Sequence, residues 1–147
     1  MYDAVLVPTD GSEGSREAAT HAIDHANRYD AALHVLYVVD ARIGVVHETT
    51  PELVFEELEA QGERAIEAVH AQARAAGVET IEGVVARGDP HRAILDYTAA
   101  EDIDLIVMGT HGRTGLDHYL IGSVTEKVVR LSDVPVLTVP LSAEATD

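Results

Sequence analysis

The residues with the most chemistry lie late in the chain. Gly109-Thr110-His111-Gly112 is followed by nine residues, Arg113 to Ile121, and then by Gly122-Ser123. Glycines tolerate positive φ and let main-chain N–H groups approach a ligand closely. A row of such donors makes a concave nest for anions. The segment opens after a short apolar run, Leu105 to Met108, and closes where a helical pattern starts at Ser123. A helix amino end adds a favourable partial charge. The chemistry is that of a phosphate cradle made of main chain. The usual cradles are absent, because no lysine completes a G-x-x-x-x-G-K-[ST] motif here. The first apolar run leads into Pro8-Thr9-Asp10-Gly11-Ser12 and not into G-x-G-x-x-G.

Plainer readings stand beside this one. Ser123-x-x-Glu126 has the form of a capping box. Asp10 has the form of a helix cap, with Thr9 and Ser12 as competitors, and the glycines are also compatible with a tight surface loop. For the nearby cations His111 and Arg113, phosphate contact and a solvated position both stay open. His21 and His25 at i, i+4, with Asp24 between, have a spacing that can share one ion, but no third ligand is well placed, so they read as exposed helix histidines. His47, His70, His91 and His118 show no partner spacing. No nucleophile, base and orienter are legible together. Asp117 and His118 are the groups in the loop that could place a water, and no catalytic residue is assigned.

Several elements must position these residues. Apolar runs of strand length, Ala4–Val7, Leu33–Val39, Val78–Ala86, Leu105–Met108 and Val134–Val139, alternate with helical patterns. Ala18, Ala19, Ala22, Ile23 and Ala26 mark the first helix. Thr50-Pro51-Glu52 starts the second, with Leu58, Ala65, Ile66, Val69, Ala73 and Ala76 as its buried stripe and Gly77 as its stop. Asp89-Pro90 opens a third, with Ile94 and Tyr97 inward, and Ser123 to Leu131 is the last. This order predicts an α/β fold, one parallel sheet with helices on both faces, whose ligands bind beyond the carboxyl ends of the strands. Pro135 places the last strand at a sheet edge, where an apolar strand needs a partner. Ala41 to Thr50 reads as a flexible loop and residues 142–147 as a frayed tail.

Composition bounds the partners. The chain has 147 residues, enough for one domain spanning 1–147 with a real core. Twenty-one alanines and nineteen valines against one phenylalanine imply a core of small side chains. There is no cysteine, which excludes disulfides and thiolate metal sites. The net charge of −16 argues against nucleic acid and anionic membranes as partners. Lys127 is the single lysine, and lysine scarcity with acid excess points to a halophilic solvent, molar salt, where screening suppresses self-repulsion. No secretory signal or bilayer-length apolar run is visible, so a cytoplasmic location is expected.

The chain resembles the universal stress protein family. Its nucleotide-binding members carry G-x2-G-x9-G-[ST], which Gly109, Gly112, Gly122 and Ser123 match in full. The Pro8 to Ser12 turn, the Leu33 to Asp40 strand and the closing Gly122-Ser123-Val124-Thr125 with Val134-Pro135-Val136 are similar to the family's other segments, over Tyr2 to Pro140. The resemblance implies a Rossmann-like five-stranded open sheet of order 3-2-1-4-5. It implies an ATP site with Asp10 beside the adenosine, Pro8 and Thr9 shaping that wall, and Val38 (register open by one toward Val39) presenting main chain to adenine. Met108 and Gly109 would line the ribose side. Gly112, Gly122, Ser123, Val124 and Thr125 would hold phosphates, with His111 or Arg113 in reach and Mg²⁺ bridging the phosphates. It also implies a homodimer through the last strand and a sensor role read by a downstream protein, with hydrolysis absent or slow. A nucleotide-independent protective protein of the same fold, and a slow ATPase, are the alternative readings.

Overall fold

The computed structural model describes residues 1–41, 51–110 and 122–141. Five strands and four helices alternate along them: β1 (Ala4–Pro8), α1 (Glu13–Tyr29), β2 (Ala32–Asp40), α2 (Pro51–Ala76), β3 (Ile81–Gly88), α3 (Pro90–Ala100), β4 (Leu105–Gly109), α4 (Ser123–Leu131) and β5 (Val136–Val139). All strand pairings are parallel and the order is β3-β2-β1-β4-β5. Both the α/β class and the strand order agree with expectation.

Strand parity sorts the side chains into two cores. Val5, Val7, Leu33, Val35, Leu105 and Val107 face α1 and α2, whose Ala18, Ala19, Ala22 and Ala73 are fully buried. Leu6, Leu36, Ile106 and Met108 face α3 and α4, with Ile94 and Val128. Small helix residues let α1 lie close to β4. A Cβ placed on Gly109 would come within 2.7 Å of the Gly14 carbonyl oxygen. The sheet start is tied by Asp104, whose Oδ2 accepts from the N–H groups of Asp3 (2.8 Å) and Ala4 (3.0 Å).

Some boundaries differ from the sequence reading. The third strand begins at Ile81, not Val78. Val78 is buried in the turn after α2, where Gly77 has φ +101° and the Val78 N–H donates to Ala73 O. The last strand begins at Val136, not Val134. Pro135 precedes it and contributes its carbonyl to the Ile106 N–H (3.0 Å). β5 is an edge strand all the same. On α2, Val69 and Ala73 are buried but Ala76 is exposed. The expectations for residues 42–50 and 142–147 lie outside the described residues. Among the described residues, no helix is long and apolar enough to cross a membrane.

Candidate functional site

The strand order reverses between β1 and β4. The chain leaves β1 toward β2 on one side and leaves β4 toward β5 on the other, so a crevice opens at their carboxyl ends. A cleft of about 290 Å³ occupies it.

One wall is the turn after β1, which is held by its own side chains. The Thr9 N–H donates to Leu36 O (2.8 Å), tying the turn to β2. Thr9 Oγ1 donates to Ser15 Oγ (3.0 Å) and accepts from the Gly11 N–H (3.2 Å). Asp10 Oδ1 accepts from the Ser12 N–H (2.9 Å), and Gly11 supplies the positive φ of +81° that reverses the chain. Ser12 then caps α1, accepting from the Ser15 N–H. The cap expected of Asp10 thus falls to Ser12, and Asp10 shapes the turn before it.

The opposite wall is the start of α4. Gly122 is the residue preceding the helix, and its carbonyl accepts from the Glu126 N–H (2.9 Å), the first intrahelical bond. The Gly122 N–H is taken by Thr110 O (2.9 Å), and the Thr110 N–H by Val139 O (3.0 Å), so β4, β5 and the helix start are laced together. The capping box read at Ser123 does not form. Ser123 is the first helical residue, is exposed, and makes no side-chain cap bond. The N–H groups of Ser123, Val124 and Thr125 therefore have no hydrogen-bond partner among the described residues, as expected for a helix's first turn. The Thr125 side chain is buried and donates to Gly109 O (2.9 Å), fixing the helix start over the end of β4.

Pro8, Thr9, Asp10, Val38, Met108, Gly109, Gly122, Ser123, Val124 and Thr125 all line this one cleft. Val38 and not Val39 faces it; Val39 is buried in the sheet. His111, Gly112 and Arg113, like Asp117 and His118, lie outside the described residues. Ser12, Ser15, Leu36, Pro90 and Ile94 also contribute to the lining and were missed by the sequence reading. Leu36 was accessible to it, since it shares a face with Val38 two residues on. Pro90 and Ile94 arrive only through the packing of α3 on the sheet. Among the described lining residues Asp10 is the one charged group, and the donors they offer to an anion are the main-chain N–H groups at the start of α4.

Three histidine contacts lie apart from the cleft lining. His91 Nδ1 stands 2.8 Å from Asp89 Oδ1, a pairing two residues apart that the spacing argument overlooked, and Asp89 makes no side-chain cap bond. His34 is buried in β2 with Nδ1 at 2.6 Å from the Tyr97 hydroxyl and 3.3 Å from Glu82. Burial pushes the Tyr97 phenol up to about 12, with Glu101 and Glu82 adding to the shift. On α1, the His25 ring nitrogen bonds the His21 carbonyl oxygen (2.9 Å).

Comparison with known proteins agrees with this architecture. The model of the universal stress protein family matches residues 1–140. Universal stress protein MJ0531 of Methanocaldococcus jannaschii is 40% identical over 141 residues, covering 95% of this chain and 82% of that protein. The solved structure of protein MJ0577 superposes with a TM-score of 0.86 at 30% identity, covering 97% of this chain and 98% of the other. A universal stress protein in complex with cAMP superposes with a TM-score of 0.74 at 28% identity, covering 96% and 98%. With the matching fold and nearly complete coverage, the chain belongs to the universal stress protein family.

Proposed function

We propose that this chain is an ATP-binding regulatory module that takes adenine nucleotide in the cleft between the β1 turn and α4. The observation that carries the reading is the open row of N–H groups at Ser123, Val124 and Thr125, facing a cleft whose other wall is apolar at Val38, Met108 and Pro8. Such a row binds phosphate without a basic patch, and the apolar wall suits a base and sugar. The related protein solved with cAMP supports an adenine ligand for this fold. Asp10, on the cleft wall, would accept from donors of the ribose or base. Gly112 completes the glycine motif in sequence, and His111 and Arg113 beside it are the cations that would reach phosphate. Mg²⁺ would be held mainly by the phosphates and would neutralise their charge in this strongly acidic chain.

The module acts as a homodimer through β5, a cytoplasmic sensor whose nucleotide state a partner reads, with hydrolysis absent or slow. The edge position of β5 and the exposed apolar side chains of Val129 and Leu131 on neighbouring α4 support that surface. Calorimetry with ATP and Mg²⁺ in molar KCl is expected to give saturable binding, and denatured purified protein should release adenine nucleotide. No binding at millimolar ATP overturns the reading. Light scattering at a mass of 15.7 kDa, that of one chain, overturns the dimer separately.

A further inference from the structure

A second cavity, of about 430 Å³, lies across the β1 turn from the cleft, between α1 and α2. The two helices run parallel and are tied at their lower ends. Asn27 Nδ2 donates to Ala76 O (2.9 Å) and Gln72 Nε2 to Thr20 Oγ1 (3.2 Å). These partners are 49 and 52 residues apart, an offset that sets Arg64 about level with the first turn of α1. Above the Gln72 bond the helices leave a gap. Arg16 borders it from α1, and Gln61 and Arg64 from α2. Tyr37, buried in β2, forms its floor with Ala19 and Val69. The Tyr37 ring fits so closely beneath α2 that a Cβ on Gly62 would stand 2.6 Å from it.

The arginines separate this cavity from an ordinary surface groove. Arg28, Arg87 and Arg130 are each held by carboxylates. Arg16, Arg64, Arg74 and Arg92 have no carboxylate partner among the described residues, and of these Arg16 and Arg64 line the same cavity, whose one carboxylate is Asp10. Guanidinium forks match phosphate oxygens in bidentate geometry. Two forks together suit a doubly charged oxyanion. Gln61 offers an amide for a hydroxyl, and the Tyr37, Ala19 and Val69 surface takes a small carbon skeleton. The volume falls within the range of small-molecule sites, about 300–1,000 Å³.

We propose that this cavity binds a small phosphate monoester on the α1–α2 side of the β1 turn, at a site that shares Thr9, Asp10 and Ser12 with the nucleotide cleft, with Arg16 and Arg64 holding the phosphate. The proposal does not depend on nucleotide binding. It is tested by titrating glucose 6-phosphate, and succinate as a carboxylate comparison, into the ¹⁵N-labelled chain at constant ionic strength. Saturable shifts are expected at the amides of Ala19, Gly62, Arg64 and Ala65. Arg16→Gln and Arg64→Gln, both exposed positions whose folding circular dichroism confirms, should each weaken binding about tenfold or more, since loss of a charged hydrogen bond is worth about 1.5–3 kcal/mol. Arg74→Gln, which lines neither cavity, should leave it unchanged. Shifts centred on Gly109 and Ser123–Thr125, undiminished affinity in both arginine variants, equal binding of succinate, or no shift at about 10 mM ligand (weaker than about −3 kcal/mol) would each overturn the proposal.

Discussion

The first glycine of the G-x2-G-x9-G-[ST] motif invites a phosphate-binding role, yet its surroundings assign it a packing role that can be measured. Gly109 ends β4 beneath the first turn of α1. An added Cβ would lie 2.7 Å from Gly14 O, 2.9 Å from Gly14 C and 3.4 Å from Gly14 Cα. Comfortable carbon contacts begin at about 3.5 Å, so the alanine must retreat by roughly 1 Å from main chain. No side chain can rotate out of the way. α1 is itself pinned by Ala18, Ala19 and Ala22, all at 0% exposure. Overpacking of this kind costs about 1–3 kcal/mol. In a chain of this length each kcal/mol moves Tm by about 2–4 °C, so Gly109→Ala should lower Tm by about 2–12 °C. Gly122→Ala is the control. Gly122 has φ −56°, and the nearest described atom to its Cβ is Thr110 O at 3.6 Å, an ordinary contact. Its cost should be that of alanine for glycine at the residue before a helix, about 0.5–1 kcal/mol, at or below the low end of the range for Gly109→Ala. Thermal and urea melts of the two variants side by side decide the matter. Equal midpoints for Gly109→Ala and Gly122→Ala would refute the packing argument. So would a structure of Gly109→Ala with the β4–α1 spacing unchanged. The bulkier Gly122→Val should show the converse pattern, weakened ATP binding on an intact fold.

Three further outcomes are expected. Thr125→Val keeps the shape of a buried side chain but orphans Gly109 O, and should cost about 1–3 kcal/mol in urea unfolding; an unchanged midpoint would show that the bond to β4 does not hold α4 in place. Asp104→Ala removes the acceptor of two N–H groups at the start of β1 and should cost about 1–2 kcal/mol, with faster amide exchange at Asp3 and Ala4 as the local readout. Tyr97 holds its proton more tightly folded than unfolded, so its contribution is present below about pH 10 and is lost as pH rises toward about 12; the stability gap between the parent and Tyr97→Phe should therefore shrink across that interval, and a constant gap would contradict the shift.

The strands and helices were legible because burial imposes periods on the sequence. Ala18, Ala19, Ala22, Ile23 and Ala26 repeat with the helix turn, and all are buried. The site turns were legible because Gly11 and Gly122 sit where strands hand over to helices. The cap at α4 was not legible. Whether Gly122 or Ser123 leaves helical geometry depends on the Gly122 N–H bond to Thr110 O, a tertiary contact with no local signature. Val78 misled for a related reason. Its apolar side chain is buried, but in the turn that closes α2 and not in the ladder. The lining from α3 and the His34–Tyr97 contact, 63 residues apart, come from register across β2 and the helix above it. Sequence spacing carries no information on either.

The excess of acid and the design of the cleft are consistent once their ranges are compared. Repulsion from a −16 surface acts over the Debye length, about 10 Å at 0.1 M salt and 3 Å at 1 M. Exposed ion pairs such as Arg28–Asp24 and Arg130–Glu126 belong to that screened regime and contribute little to stability. The bonds that define the cleft do not. Thr125 to Gly109, Gly122 to Thr110 and Ser12 to Asp10 all lie near 2.9 Å and are partly buried or within the main chain. A row of N–H groups at the start of α4 is likewise fixed by the helix it begins, whatever the ionic strength. Salt can therefore remove the long-range penalty for a phosphate without loosening the groups that would hold it. A lysine-based cradle would lose part of its attraction to the same screening. This gives a physical reason why, in a chain with one lysine, the proposed nucleotide cleft would rely on main-chain donors.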